Sequence, residues 1–183
     1  LQGDGMESTI LDNDDEADAM LFTGGHSNLY DFHIRSGHLE SYHLIYGEFT
    51  DGEIRRCRFE RMTGIYDYKN SLRITGDSNM LIADNNIDGL TWIDANFGNY
   101  VVTDNNYFWE LRQDGGDILN NHIGEGGLRF RSEDGGPTIV KNNLIEARHI
   151  TDNSSGFFHF TDNILSTSFS FDPTENSTVI RNV

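Results

Sequence analysis

One short pattern recurs along most of the chain: an apolar residue, two further residues, asparagine, one residue, then a second apolar residue. It reads Ile82–Asn85–Ile87, Val102–Asn105–Tyr107, Ile118–Asn121–Ile123, Val140–Asn143–Ile145 and Phe160–Asn163–Leu165, and Val179–Asn182 begins another copy. Two earlier copies replace the asparagine: Leu29–Phe32–Ile34 and Ile54–Cys57–Phe59. The pivots at 32, 57, 85, 105, 121, 143, 163 and 182 are separated by 25, 28, 20, 16, 22, 20 and 19 residues. A period near twenty residues is the signature of a stacked solenoid in which each repeat buries its apolar face against the next. Long runs of helical periodicity are absent, which excludes the helical solenoids. An irregular β-sandwich would not require one pivot to recur across most of the chain.

A turn-forming cluster precedes each pivot, as in Phe22–Asn28, Ile74–Asn79, Asp94–Asn99, Asp114–Asp117, Glu133–Pro137, Asp152–Gly156 and Asp172–Asn176. Each coil therefore reads strand, acidic turn, strand, asparagine corner, strand. Asparagine tolerates the left-handed backbone conformation that a sharp corner needs. Stacked one rung per ~4.8 Å, its amides can hydrogen-bond along a column. Asn85, Asn105, Asn121, Asn143, Asn163 and Asn182 are thus expected to form a structural ladder, with the flanking apolar residues pointing inward. Cys57 interrupts the column with a small, weakly polar side chain suited to burial. The expected fold is all-β: a right-handed parallel β-helix of about eight coils, one domain over residues 1–183.

The bulk composition agrees. Only 2 prolines occur, as suits a chain whose N–H groups are mostly committed to ladders. The formal net charge of −17 would repel nucleic acids, anionic membranes and polyanionic polysaccharides unless a local basic patch or cations intervened. No apolar run approaches the ~18 residues of a membrane-spanning helix, so neither nucleic acid nor membrane insertion is expected. A single cysteine excludes an internal disulfide. The chain opens at Leu1 inside what reads as a structural motif and stops within a coil, so a segment of a longer polypeptide with uncapped ends is expected.

The asparagine-centred coils, with the opening Leu1-Gln2-Gly3-Asp4-Gly5-Met6-Glu7-Ser8-Thr9-Ile10-Leu11, resemble the pectin-lyase-like superfamily of β-helix proteins. That superfamily includes polysaccharide lyases, glycoside hydrolases and phage tailspikes. The resemblance covers nearly the whole chain but is specific for fold. It implies a polysaccharide as partner, an extracellular, cell-surface or virion setting, and is compatible with a homotrimer or larger assembly. Three functions follow as expectations: a tailspike-like recognition module, a polysaccharide lyase or glycoside hydrolase, and a structural spacer.

Aligning the coils on their pivots places Leu90 and Trp92, Trp109 and Leu111, and Leu128 and Phe130 inward. Glu110, Arg129 and Arg148 then face outward on successive rungs, with Arg112 and Arg131 beside them. Against 13 basic residues in all, four arginines on one face is an enrichment. Arginine grips carboxylate or sulfate bidentately, so Glu110, Arg112, Arg129, Arg131 and Arg148 are candidate carbohydrate-binding residues. The reading favoured over that one is a Glu110–Arg129 cross-strand ion pair with Arg148 as its solvated extension. Glu110, Glu125 and Glu146 are candidates for the paired carboxylates of a glycosidase, although chance groupings abound among 30 acidic residues. Asp12, Asp14, Glu16 and Asp18 alternate in a way that could supply oxygens to calcium. Asp94, Asp114, Asp134, Asp152 and Asp172 recur in turns, where aspartate is also an ordinary turn former. The 7 histidines show no metal-ligand spacing. Tyr46, Tyr66 and Tyr68 fall in the longest coils, where a solenoid builds binding rims. Asn153-Ser154-Ser155 and Asn176-Ser177-Thr178 are glycosylation sequons that matter only in a eukaryotic secretory setting.

Overall fold

The structure is a computed structural model. It describes residues 2–5, 10–13, 18–23, 25–36, 43–48, 51–60, 70–75, 79–94, 100–105, 107–114, 116–131, 138–146, 150–152, 158–166 and 177–183. Every regular element among them is a strand. In chain order these are β1 (Ile10–Asn13), β2 (Asp18–Thr23), β3 (His26–Tyr30), β4 (His33–Ser36), β5 (His43–Glu48), β6 (Asp51–Arg55) and β7 (Arg58–Glu60). There follow β8 (Asn70–Thr75), β9 (Asn79–Ala83), β10 (Asn86–Asp94), β11 (Tyr100–Thr103), β12 (Tyr107–Asp114), β13 (Asp117–Leu119) and β14 (His122–Arg131). The last are β15 (Thr138–Lys141), β16 (Leu144–Ile145), β17 (Ile150–Asp152), β18 (Phe158–Thr161), β19 (Ile164–Leu165) and β20 (Thr178–Ile180).

These strands form two all-parallel sheets. The smaller has eight strands in the order β20-β18-β15-β13-β11-β9-β6-β3. The larger has twelve: a path β1-β4-β7-β10-β12-β14-β16-β19, with β2-β5-β8 joining it at β10 and β17 at β14. The chain alternates between the sheets, each pass adding one strand to the growing edge of the smaller sheet and one or two to the larger. That is the architecture of a parallel β-helix of about eight coils. In the larger sheet β10, β12 and β14 run through both columns, and their pairing shifts register between Ile87 and Leu90 and between Phe108 and Glu110. Such irregularities let one strand turn between two faces.

Like residues stack inside. In the smaller sheet Ile54, Ile82, Val102, Ile118, Val140 and Phe160 are consecutive register partners, and all are buried. In the larger sheet Ile34, Phe59, Ile87, Phe108, Ile123 and Ile145 form the facing row. Phe130 meets Phe158 edge-on at 5.2 Å and Phe160 in a stack at 6.1 Å, joining the two sheets across the core. Each fully buried aliphatic or aromatic side chain contributes about 1.5–3 kcal/mol.

The corners explain the repeat, with one correction. The left-handed residue is not the asparagine but the residue before it: Asp31, Arg56, Asp84, Asp104, Asn120, Asn142, Asp162 and Arg181 all have φ between 52° and 63°. Six of these eight are Asp or Asn, the non-glycine types that enter this region most cheaply. The two arginines are each clamped by the corner aspartate of the preceding coil. Arg56 donates to Asp31 at 2.6 and 2.9 Å, and Arg181 makes the same two-pronged contact with Asp162. The backbone turn then points the following asparagine inward.

Asn85, Asn105, Asn121, Asn143 and Asn163 are buried, and with Asn182 they form a single column. Each Oδ1 from Asn105 onward accepts from the backbone N–H and the Nδ2 of the previous asparagine. The amide-to-amide distances are 3.0, 2.9, 3.2, 3.0 and 3.0 Å. Each Nδ2 also donates to a carbonyl in the smaller sheet one coil back, as Asn121 does to Val102 O at 2.9 Å. The interior members therefore use both donors and both acceptor sites of the amide. Cys57 is buried in line with them: its N–H donates to Asn85 Oδ1 at 2.9 Å, and its thiol reaches Leu29 O at 3.7 Å. Burial pushes that thiol up to about 11, which leaves it inert.

Candidate functional site

The outer face of the larger sheet carries a row of arginines and aromatics. Its members are successive register partners: Tyr46 of β5, Arg73 of β8, Trp92 of β10, Arg112 of β12 and Arg129 of β14. Parity explains their orientation. Ile45 and Gly47, Leu72 and Ile74, Thr91 and Ile93, and Leu128 and Phe130 are buried on either side of Tyr46, Arg73, Trp92 and Arg129. The Arg73 guanidinium carbon lies 4.6 Å from the Trp92 ring centroid and 5.7 Å from that of Tyr46. A planar cation sandwiched between two rings is held in a fixed plane, each contact worth about 0.5–1 kcal/mol at an exposed site. Arg129 is exposed further along the row.

This register revises the outward face expected from the sequence. Trp92 is half-buried on the outside and its neighbour Thr91 is fully buried, so the inward assignment of Trp92 is overturned. The cause is the register shift between Ile87 and Leu90, which puts Leu90 and Thr91 both inside. Likewise Glu110 stands opposite Gly127, and Arg129 opposite Arg112, so the expected Glu110–Arg129 rung does not form in the register. Arg131 is opposite Asp114. Arg112 and Arg129 are adjacent as positions; the side chains of Glu110, Arg112, Arg131 and Trp109, and the whole of Arg148, lie outside the described residues. Tyr46, expected on a rim built by the longer coils, sits instead within strand β5 of the sheet, and Arg73 is a further member that the sequence did not single out. Their signal was the strands Ile45–Gly47 and Leu72–Ile74, whose alternation marks a middle residue facing out.

Of the calcium candidates, Asp12 is opposite Arg35 and Asp18 opposite His43 in the strand register, while Asp14 and Glu16 lie outside the described residues. Among the described residues no group of three or more His, Cys, Asp or Glu side chains could hold a metal ion. Three histidines pair instead with carboxylates of the next coil: His26 Nδ1 with Asp51 at 2.6 Å, His33 Nε2 with Glu60 at 2.7 Å and His122 Nε2 with Glu146 at 2.8 Å. Glu125 and Glu146 are both exposed. Tyr66, Tyr68, Asp134, Asp172 and the sequon asparagines Asn153 and Asn176 lie outside the described residues.

The fold defines the chain as a parallel β-helix protein. No protein-family model, curated protein or solved structure matches it.

Proposed function

We propose that this chain is a β-helix module that recognises a polysaccharide bearing carboxylate or sulfate groups, seated along Tyr46, Arg73, Trp92, Arg112 and Arg129. The setting would be extracellular, at a cell surface or on a virion, within a larger assembly of the tailspike kind in the pectin-lyase-like superfamily. The observation that carries the reading is the Arg73 guanidinium held between Tyr46 and Trp92 in a row continued by two more arginines. Apolar sugar faces stack on aromatic rings, and guanidinium forks bind oxyanions. Like charges directly opposite on neighbouring strands repel, so an anion bridging the Arg112 and Arg129 positions would relieve the row. The row sits on a sheet, which holds its spacing better than a loop would.

A glycan array of acidic and neutral polysaccharides, followed by calorimetry, tests this. Binding to an acidic glycan is expected, weakened about tenfold or more by Arg129→Ala or Trp92→Ala. Unsaturated or shortened products would convert the recognition module into a lyase or hydrolase. A second reading, a rigid spacer without ligand, is favoured by the saturated asparagine column and the ion-paired corners at Arg56 and Arg181. Failure of every acidic glycan to bind would establish the spacer over the recognition module.

A further inference from the structure

A second feature lies on the other column of the same sheet. Arg58, Asn86 and Tyr107 are register partners on β7, β10 and β12, and with Glu60 and Asp88 they line a hollow of about 310 Å³. Tyr107 is laid flat against the sheet rather than projecting from it. Its ring meets that of His122 edge-on, with centroids 5.3 Å apart at 82°. Its hydroxyl crosses the backbone at Gly124, where a Cβ would lie only 2.4 Å from the phenolic oxygen. Gly124 is therefore what lets the ring lie down. His122 is itself fixed by Glu146, and Glu60 by the buried His33.

The chemistry of the hollow differs from that of the arginine row. Glu60 and Asp88 face a single lining arginine, and Glu125 and Glu146 stand near Tyr107 on the far side. Burial first, and then Asp88, Glu125 and Glu146, raise the Tyr107 phenol above its ordinary range, so it remains a neutral O–H donor. A uronate or sulfated unit would meet repulsion here. An uncharged ring would find a flat aromatic platform and planar carboxylate, amide and guanidinium groups able to address neighbouring hydroxyls.

We propose that the hollow around Tyr107 is a separate subsite for an uncharged, hydroxyl-rich sugar unit. It rests on the polysaccharide-recognition reading but uses different residues and the opposite charge preference. The test is an NMR titration with neutral hexaoses (cello-, xylo- and malto-hexaose) and with trigalacturonate, following the amides of Tyr107, His122 and Gly124. At least one neutral hexaose should shift these amides. Tyr107→Ala should weaken that binding about tenfold, and Gly124→Ala should weaken it too by lifting the ring from its seat. Arg129→Ala should leave it unchanged, and trigalacturonate should not shift these amides. Should no neutral hexaose shift them, or should binding survive Tyr107→Ala and Gly124→Ala intact, the subsite is overturned. Loss of the acidic-glycan interaction at the arginine row would leave this titration unaffected, so the two proposals fail separately.

Discussion

Two buried polar residues with opposite fortunes show how much a single hydrogen-bonding group matters inside this narrow core. Asn121 has every valence met: it accepts from Asn105 N–H and Nδ2 and donates to Val102 O and Asn143 Oδ1. Thr91 is fully buried, and its hydroxyl has no partner among the described residues. Removing the first strands several buried partners, whereas removing the second strands none. Asn121→Ala should cost about 3 kcal/mol or more, while Thr91→Val should stabilise by about 1 kcal/mol. Denaturant unfolding of both variants measures the contrast. The corner clamps add a pH dependence. Hydrogen bonding to Arg56 and to Arg181 lowers the Asp31 and Asp162 carboxyls below 3.8. Their contribution is complete above the unfolded value and is lost as pH falls through the lowered folded one. Burial raises Asp117, whose protonation acts in the opposite sense. Replacing Arg56 by Ala should flatten the acid limb of the stability–pH curve below about pH 4, measured by thermal melts across that range.

At the scale of the coil, the ladder has one irregular step. Cys57 occupies the line of the column, and its thiol points to the same kind of carbonyl, Leu29 O, that an asparagine Nδ2 addresses. An amide there would donate to Leu29 O and to Asn85 Oδ1, extending the column by a rung. Cys57→Asn should therefore raise the melting temperature, by a contribution of about 1 kcal/mol; a fall in melting temperature would mean that Phe32 leaves no room for the amide. The column itself was legible in the sequence because both the corner and its hydrogen bonds demand specific residue types at fixed offsets. The left-handed position was not, because Asp, Asn and Arg share it and the neighbouring asparagine is the more conspicuous residue. The outer face was half legible. Arg112 and Arg129 fall in the row, but the shift between Ile87 and Leu90 turned Trp92 outward. Simple alternation carries no signal for such a shift, since Leu90 and Thr91 can both be buried only when the strand is irregular.

For the molecule as a whole, charge and shape act against each other. The net charge of −17 is spread over a fold whose coils each touch mainly their neighbours. Self-repulsion opposes the folded state, and salt screens it. Raising ionic strength from low to physiological should raise the melting temperature. It should also weaken the acidic-glycan binding proposed for the arginine row, because that attraction is screened by the same ions. Calorimetry and thermal melts in one salt series read both slopes; slopes of equal sign would remove the electrostatic account of the row.

The amide column also has a direction. Every side-chain carbonyl accepts from the coil before it, and every backbone N–H of these asparagines up to Asn163 donates to the coil after it. Between one asparagine amide and the next, the connecting chain ranges from 16 to 22 residues without disturbing the contact. Growth or shrinkage of such a molecule is therefore quantised. Loops can lengthen freely, and whole turns can be duplicated or deleted. A partial turn would leave one amide facing a gap and every later residue on the wrong wall.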